Sequence, residues 1–559
     1  MPQNRPRLFL FFICGIFIIN LLQAHFTELI FDEAYYWFYA QEMSWGYFDH
    51  PPMVALMIKL SSFFFDGELG VRFVSCLLSI GTLIVIWAMI DDEKKKGHII
   101  DFFVLALSMT LLNAYGFLTL PDTPLLFFTA LFLLAYKNFL DKNTFVKALV
   151  LGLTMSALMY SKYHAVLVIV FVLLSNLKLL TNKYAWMAVI VALLSYLPHF
   201  IWLYENDFVS VKYHLFDRPN AAYNFNKYTL GFFLNLVAIF GLTFPWIYRS
   251  LLRTKASDLF TKALLYLTYG FIVFFFISSF NRRVQTQWII VISIPLAILT
   301  FNYLLKDEQT RKWVFRMGLV NIIVIAILRI GLIYEPLFPI YYETHGNKDW
   351  VKKVVAIAND NPVVFENSYR FAPMYEFYSG HPSYSLNNMN YRKNQYSIDS
   401  SEFRVQHKKV LYISPYIPER DISYKRTNGD IFYAKFIDDF ASYRKLECIV
   451  DESELDDLIN NNLSLKVYNP YTIDIALDKL KFGVAYLNAY KEVRDTQPIN
   501  DLKPEQKISV LKANDTTNFT FSLPRTDMED PKYFRLGISE NDLPYGLNGT
   551  NIKIEQWNQ

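Results

Sequence analysis

The sequence predicts a polytopic α-helical membrane protein with a water-soluble region after its last apolar segment. Hydrophobic residues make up 53% of the 559 residues and aromatic residues 17%, a composition unusual for a soluble protein. Charge is unevenly distributed. Residues 1–333 hold 27 Lys and Arg against 19 Asp and Glu, whereas residues 334–559 hold 27 against 32. The apolar runs all lie in the first part, so we predict a membrane domain over residues 1–333.

Eleven apolar runs approach the ~20 residues that a helix needs to cross a bilayer. They cover residues 7–24, 70–90, 99–118, 124–140, 147–160, 164–180, 184–204, 228–248, 262–280, 289–305 and 314–333. Arg5 and Arg7 precede the first run, but no small-residue cleavage site follows it. We therefore expect a retained membrane anchor and not a removed signal peptide.

The basic residues of the loops predict the orientation. With the N-terminus inside, the inner side holds eighteen Lys and Arg and the outer side nine, and cytoplasmic loops of membrane proteins are enriched in these residues. Eleven crossings then place the C-terminal region on the outer side. We expect a multi-pass protein of a bacterial inner membrane, with its C-terminal region in the periplasm.

The outer loops differ chemically from the inner ones. Inner loops such as residues 91–96 are short and plainly charged, whereas the outer loops combine acids, His, Arg and aromatic residues. Polar groups at the membrane boundary are costly to desolvate and are often functional, so we expect the chemistry on the outer face. The three cysteines show no ligand-like spacing and are interpreted as small buried hydrophobic residues: Cys14, Cys76 and Cys448.

Asp32 and Glu33 begin the first outer loop. Adjacent carboxylates point in different directions on a helix, so one can enter a site while the other fixes the loop. A partly desolvated carboxylate here could act as general base on an acceptor hydroxyl or amine. A solvated acid at the membrane edge is the alternative. We include both residues among the catalytic candidates.

Asp49 and His50 precede two prolines, Pro51 and Pro52. The prolines fix an extended turn, which can direct an acid and an imidazole toward one point. Asp49 could bind a divalent cation, and His50 could contact a phosphate or the same ion.

Asp122 and Lys162 are polar residues at two outer turns. Asp122 lies between Pro121 and Pro124 and is a candidate catalytic acid, with a helix-capping role as the alternative. Lys162 falls between two short apolar runs at the depth of the outer interface. Lys162 is suited to bind a lipid phosphate. The alternative interpretation is a lysine whose side chain only extends to the membrane interface.

Two further outer segments carry cations. His214 and Arg218 lie four residues apart, on one face if the segment is helical, and could supply a metal ligand and a bidentate phosphate donor. Arg282 and Arg283 depart from the positive-inside trend, which favours an anionic partner.

The outer face therefore offers carboxylates, imidazoles and cations beside lipid. This set suits a transfer reaction in which a carboxylate acts as base for the nucleophile and the leaving group is a lipid phosphate. The sequence lacks the Gly-rich phosphate loops of nucleotide enzymes, and no nucleotide is expected outside the membrane. A donor built on a lipid phosphate is therefore the economical inference.

The first outer loop also carries a family resemblance. Phe31-Asp-Glu-Ala-Tyr-Tyr-Trp37, followed by Trp45-Gly-Tyr-Phe-Asp-His-Pro-Pro-Met53, resembles the first outer loop of the GT-C glycosyltransferases. The closer similarity is to the branch of the protein O-mannosyltransferases and the lipid A aminoarabinose transferase. Pro121-Asp-Thr-Pro-Leu125, Ser161-Lys-Tyr163 and the 214–218 stretch recur there in the same order, so the resemblance covers about residues 7–330.

This resemblance implies the GT-C fold and transfer of a sugar from a polyprenyl-phosphate donor to an acceptor on the outer face, usually with inversion. By position, Asp32 resembles the main catalytic carboxylate and Asp122 a second acidic site residue. Lys162 and Arg218 resemble contacts to the donor phosphate.

The resemblance also implies a metal site. His214 resembles one of two metal ligands, while Asp49 stands where the aminoarabinose transferase has a metal-binding Glu. His50 replaces a phosphate-contacting Lys. We therefore expect a divalent ion, Zn²⁺ or Mn²⁺, held by Asp49 and His214.

The region beyond residue 333 is predicted as two soluble domains. Residues 334–445 show the mixed segments of an α/β domain, and residues 446–559 show the alternation of a small β-sandwich. Neither contains a nucleophile elbow, metal cluster or glycine loop, so acceptor binding or shielding of the membrane site is the expected role.

We therefore predict an integral-membrane glycosyltransferase. Its partners are a polyprenyl-phosphate sugar and an acceptor that is lipid A, another glycolipid, a glycan or a protein. A transporter or flippase for an anionic polyprenyl-linked lipid is the alternative. It should place ionisable groups near the bilayer midplane and show internal repeats, whereas the charges here cluster at one interface.

Overall fold

Helices dominate the first 345 residues of the computed structural model, which describes residues 5–218, 220–337, 341–450, 463–506 and 508–554. The chain divides into two units. One contains residues 1–210 and 223–345, and the other contains residues 211–222 and 346–559.

The first unit is built from helices α1 to α10 and α12 to α16. Their bounds, with those of the short helix α11, are Arg5–Phe26 (α1), Phe31–Gln41 (α2), Met53–Ser61 (α3), Gly67–Met89 (α4), Ile99–Ser108 (α5), Thr110–Ala114 (α6), Asp122–Asp141 (α7), Phe145–Ser161 (α8), Val166–Ser175 (α9), Lys183–Glu205 (α10), Val209–Lys212 (α11), Gly231–Ala238 (α12), Phe244–Arg253 (α13), Leu259–Ser278 (α14), Ser293–Leu304 (α15) and Glu308–Ile333 (α16). Two π-helical turns, Tyr213–Asp217 and Asn226–Leu230, lie between α11 and α12.

Seven helical segments of the described chain are long and apolar enough to cross a membrane. They are α1, α4, α7, α10, α14, α16 and Thr286–Leu304, which includes α15. Another predicted span is a helix pair, 226–238 and 241–253, bent by 94°. The remaining three correspond to shorter apolar helices of 10–17 residues. The predicted fold class is confirmed: the chain is a polytopic membrane protein.

Small residues allow the helices to approach one another closely. A Cβ at Gly152 of α8 would lie 2.5 Å from the carbonyl oxygen of Ala188 in α10. A Cβ at Gly270 of α14 would lie equally close to the ring of Phe171 in α9. Such contacts are typical of helix packing in membranes, where small residues bring backbones together.

The second unit begins with an α/β layer. Its mixed sheet has the strand order β2-β1-β3-β5-β4, in which β1 pairs in parallel with β2 and β3 and the other pairs are antiparallel. The elements are α17 (Asn347–Ala358), β1 (Val363–Glu366), α18 (Phe371–Ser379), β2 (Ser383–Leu386), β3 (Lys408–Ser414), β4 (Ile422–Lys425) and β5 (Ile431–Phe440).

Two four-stranded antiparallel sheets follow, with orders β10-β9-β14-β15 and β11-β13-β7-β6, besides the pair β12-β8. The strands are β6 (Glu447–Val450), β7 (Leu463–Asn469), β8 (Ile475–Ala476), β9 (Lys481–Leu487), β10 (Val493–Pro498), β11 (Lys503–Pro504), β12 (Val510–Leu511), β13 (Asp515–Phe521), β14 (Tyr533–Ser539) and β15 (Ile552–Lys553). One apolar core joins both sheets, with Leu465 and Phe519 from one and Val484 and Leu536 from the other. This is the arrangement of a β-sandwich.

The cysteines correct one expectation. Cys76 and Cys448 are buried as predicted, but Cys14 is exposed on α1. The prediction for Cys14 is wrong because α1 leaves much of its apolar surface uncovered by protein, as Phe11 and Ile18 also show.

Candidate active site

The first outer loop folds into a buried aromatic layer. Tyr39 of α2 stacks on Tyr47, with ring centroids 4.2 Å apart and planes 7° from parallel. The Tyr47 hydroxyl donates to the carbonyl oxygen of Tyr39 at 3.0 Å, and the Ser210 hydroxyl donates to the carbonyl oxygen of Tyr47 at 2.9 Å. Tyr39 and Tyr47 therefore hold the loop in a fixed conformation.

Glu33 fixes the start of α2. Its carboxylate forms a fully buried ion pair with Arg72 of α4 and accepts the backbone N–H groups of Ile30 and Thr119. The Arg72 guanidinium also donates to the carbonyl oxygens of Ala24 and Thr27, at 3.0 and 2.6 Å. Of the two adjacent acids, Glu33 is thus the one that fixes the loop.

Asp32 lies one residue earlier, in the first turn of α2, and is only partly buried. The hydroxyl of the buried Tyr115 is within electrostatic reach of both Asp32 and Asp122. The carboxylates of the first loop and of the start of α7 therefore act on the same phenol, although they are far apart in sequence.

Asp122 and Lys162 form the second buried ion pair. Asp122 is the first residue of α7, and Lys162 directly follows α8. The Lys162 Nζ donates to both carboxylate oxygens of Asp122, at 2.7 and 2.9 Å, and both residues are at most 9% exposed. Asp122 thus lies in the first turn of α7 and accepts from Lys162, while the Lys162 ammonium is held by a buried carboxylate.

Asp49 is held on the aromatic layer. The Tyr39 hydroxyl donates to its Oδ1 at 2.5 Å, and Tyr163, beside Lys162, is also within its electrostatic reach. Burial raises the pKa of the Tyr39 phenol well above its ordinary value, and the Asp49 carboxylate raises it further. Tyr39 therefore remains a proton donor. The His50 ring meets Tyr36 edge-on, with centroids 5.4 Å apart.

His214 and Arg218 belong to the second unit. His214 lies on a π-helical turn, Tyr213–Asp217, and Arg218 directly follows it with an extended backbone and closes the turn, its N–H donating to the Tyr213 carbonyl oxygen at 2.8 Å. π-Helical turns occur frequently at functional sites. The turn includes His214 but ends before Arg218, so the shared helical face of the two residues stays a prediction.

Side chains of residues 346–559 hold this segment. Arg392 donates to the Tyr213 hydroxyl at 2.7 Å, and its guanidinium lies 5.2 and 4.7 Å from the ring centroids of Tyr213 and Tyr369. Lys491 donates to the carbonyl oxygen of Phe216 at 2.8 Å. The soluble part of the second unit therefore determines the conformation of the turn that carries His214 and that Arg218 closes.

Arg282 and Arg283 lie in the loop after α14. Arg282 is partly buried and Arg283 is exposed. Asn235 anchors the end of this loop, since its amide donates to the Val284 carbonyl oxygen at 2.9 Å and its amide oxygen accepts from the Thr286 hydroxyl at 2.7 Å.

Among the described residues, no group of three or more His, Cys, Asp or Glu side chains could hold a metal ion. The expected site has two protein ligands, Asp49 and His214, and Asp49 also accepts a hydrogen bond from the Tyr39 hydroxyl. Metal binding by Asp49 and His214 stays a prediction, and we derive no step through an ion.

Sequence reasoning missed Arg72, Tyr115 and Arg392. The partner of Arg72 is 39 residues away and that of Arg392 is 179 residues away. Arg72 did carry a signal, because a cation inside an apolar helix needs a buried partner. Tyr115 and Arg392 carried none.

The fold defined by these helices is that of the GT-C glycosyltransferases. The chain is similar to the enzyme ArnT from Cupriavidus metallidurans in two crystal structures, one in the apo state and one bound to undecaprenyl phosphate. Each similarity has a TM-score of 0.54 and covers 76% of this chain and 97% of the other, at 12% and 14% sequence identity.

Two sequence similarities support this class. The family described as dolichyl-phosphate-mannose-protein mannosyltransferase matches residues 49–202. The lipid A galacturonosyltransferase RgtD of Rhizobium johnstonii is 28% identical over 220 residues, which are 37% of this chain and 46% of the relative. The chain thus spans less than half the length of this curated relative. The resemblance to the GT-C glycosyltransferases is confirmed.

Proposed function

We propose that this protein is an integral-membrane glycosyltransferase that moves a sugar from a polyprenyl phosphate to an acceptor on the outer face of the membrane. The observation that carries the proposal is that the partly exposed Asp32 carboxylate and the buried Asp122–Lys162 pair both lie within electrostatic reach of the Tyr115 hydroxyl. The similarity to an enzyme crystallised with undecaprenyl phosphate supports the same donor class.

Asp32 is the proposed general base. As the acceptor oxygen attacks the anomeric carbon, its proton passes to the Asp32 carboxylate and the bond from that carbon to the phosphate oxygen breaks. The electron pair leaves with the polyprenyl phosphate. Attack from the side opposite the phosphate inverts the anomeric centre, as the family resemblance implies.

The leaving phosphate gains negative charge and needs preorganised positive groups. Lys162 is the proposed main contact, and its pairing with Asp122 gives the ammonium one position. His50, Arg282 and Arg283, which belong to the same unit as Lys162, are the further proposed contacts. A donor-phosphate contact of Arg218 stays an expectation from the family resemblance. Asp122 thereby becomes the positioning residue of Lys162, while Glu33 keeps Asp32 in place through the start of α2.

We propose a lipid A-type glycolipid as the first acceptor to test and a hexuronic sugar as the first donor group. The support is the curated relative, whose name states a lipid A galacturonosyltransferase. The two-to-one excess of Lys and Arg in the inner loops supports a periplasmic position of the C-terminal domain in a bacterial inner membrane.

The test is transfer of a radiolabelled sugar from a polyprenyl phosphate to lipid A by the purified chain in detergent. We expect Asp32→Asn to lower turnover by about 10²–10⁴-fold, the usual cost of losing a general base. Asp66→Asn is the matched control, because Asp66 is an exposed carboxylate that precedes α4. Turnover above about a tenth of wild type in Asp32→Asn would remove Asp32 from the mechanism.

A further inference from the structure

Arg329 is a cation within the membrane domain. It lies on α16, in the last part of the helix before Ile333, and is partly buried in the first unit. Its guanidinium donates to the side-chain oxygens of Asn20, Gln23 and Asn113, at 2.9, 3.3 and 3.0 Å. All three acceptors are neutral amides. An ionisable residue within membrane-spanning helices is costly and is a candidate for a functional site.

No carboxylate offsets this charge among the residues that the structure describes. The hydrogen-bond partners of Arg329 there include no Asp or Glu, and the one titratable side chain within its electrostatic reach is the Cys76 thiol. The guanidinium also lies 4.7 Å from the ring centroid of Phe117, a contact that attracts a cation but brings no negative charge. Because buried charges are costly without a charged partner, this site favours an anion.

A cavity of about 20 Å³ adjoins Arg329. Its apolar lining residues are Ile16, Leu83, Ala106, Leu107 and Leu112. The other lining residues are Asn20, Ser79, Asn113, Gly116 and Arg329. Arg329 is thus the one charged residue among the described residues of the lining, and no acid cancels it. A polar space of this size holds one water-sized particle.

Two further donors come together in this lining. A Cβ at Gly116 would lie 3.0 Å from the Asn20 Nδ2 and 3.3 Å from the Ser79 Oγ, so both atoms adjoin the space that a side chain would fill. The Asn20 Oδ1 accepts from Arg329, which leaves the nitrogen as the donor of that amide. Within the described part of the chain, neither this nitrogen nor the Ser79 hydroxyl donates to an acceptor. Donors from α1, α4 and α16 without an acid among them are complementary to a small anion.

We propose that this cavity binds a halide ion, with chloride as the ion most available, at the Asn20 amide nitrogen, the Ser79 hydroxyl and the Arg329 guanidinium. The ion compensates the charge of Arg329 and connects α1, α4 and α16. A cavity of about 20 Å³ has no room for the four oxygens of a phosphate, so the ligand class is a monatomic anion. The site contains none of the residues proposed for sugar transfer and does not depend on the proposed function.

The test is thermal unfolding of the full chain in detergent while chloride or bromide replaces gluconate, an anion too large for the cavity, at constant ionic strength. Arg329→Met removes the cation, and Ser79→Ala removes one donor at a partly buried position. The matched control is Arg316→Met, which removes an exposed arginine of α16 that does not line the cavity. The readout is the shift that the halide causes within each variant, so a lower starting stability does not hide it.

We expect saturating chloride to raise the unfolding midpoint of wild type and of Arg316→Met by about 2–5 °C, since a ligand that binds only the folded chain stabilises it. The shift should vanish in Arg329→Met. In Ser79→Ala the chloride concentration at half effect should rise by about tenfold, because a hydrogen bond to a charged ligand is lost.

Anomalous scattering from crystals of the wild type grown in bromide should locate the ion between Asn20, Ser79 and Arg329. Absence of any halide effect, an equal effect in wild type and Arg329→Met, or bromide found only elsewhere would overturn the proposal. The cavity would then hold water.

Discussion

The two ends of the membrane helices use the same residue types in different ways. At the end that carries Asp32, the ion pairs Glu33–Arg72 and Asp122–Lys162 have side chains between 0% and 11% exposed. At the opposite end, Glu308–Lys312 is 66% exposed on both sides. Buried charges are costly to desolvate and require partners with good geometry. The burial of the pairs, more than the number of charges, distinguishes the end where chemistry is proposed.

Breaking a buried pair should have the largest effect on stability. Arg72→Met leaves the Glu33 carboxylate buried without its counterion, and we expect the free energy of unfolding to fall by about 3–5 kcal/mol. Chemical unfolding in mixed micelles measures it. The double variant Arg72→Met/Glu33→Gln should recover part of the loss, because no uncompensated charge remains. Equal stability of wild type and Arg72→Met would mean that water reaches this pair.

Removing the lysine of the Asp122–Lys162 pair should lower turnover as well as stability, because the buried Asp122 carboxylate loses its counterion. Lys162→Met removes a cation proposed to face the leaving phosphate, and we expect kcat to fall by about 10²–10³-fold. Lys142→Met, at the other end of α7, is the control and should leave kcat unchanged. If Lys162→Met raises KM alone, the lysine binds donor but does not stabilise the transition state.

Much of this end could be predicted from sequence. The motif around Asp32, the acid at Asp122 and the cation at Lys162 stand out as polar groups in outer loops beside apolar runs. The sequence could not show which of Asp32 and Glu33 fixes the loop, because adjacent acids look equivalent in a sequence. Only the structure shows that Glu33 pairs with Arg72. The polytopic α-helical fold follows from the apolar runs, and alternation in the tail indicates its β-strands. The assignment of residues 211–222 to the second unit depends on contacts 179 and 275 residues away.

Metal removal should have a small effect. Asp49 accepts the Tyr39 hydroxyl, and the described residues form no group of three candidate ligands. We expect transfer by the purified chain to stay within about twofold of its starting rate after exhaustive chelation, because loss of a structural or catalytic ion would cost far more. Abolished transfer that Zn²⁺ or Mn²⁺ restores in wild type, but not in Asp49→Ala, would establish the ion expected from the family resemblance.

Removing the exposed Glu308–Lys312 pair should have the smallest effect on stability and transfer. Glu308→Gln/Lys312→Met removes both charges of an i, i+4 pair in α16, and such solvent-screened pairs often contribute nothing measurable. Thermal unfolding and transfer should match wild type. A loss comparable to that of Arg72→Met would show that burial does not separate the two ends as described.

The membership of residues 211–222 in the second unit has a consequence for biosynthesis. Arg392, which holds Tyr213, is translated 179 residues later, which takes about 9–36 s at ~5–20 residues per second. Lys491, which holds Phe216, follows later still. During this interval the membrane helices before the segment can insert while His214 and Arg218 lack the side chains that shape their turn. The first unit would therefore exist first without the side chains that shape the Tyr213–Asp217 turn, and this turn would take its final conformation only after residues 346–559 have folded.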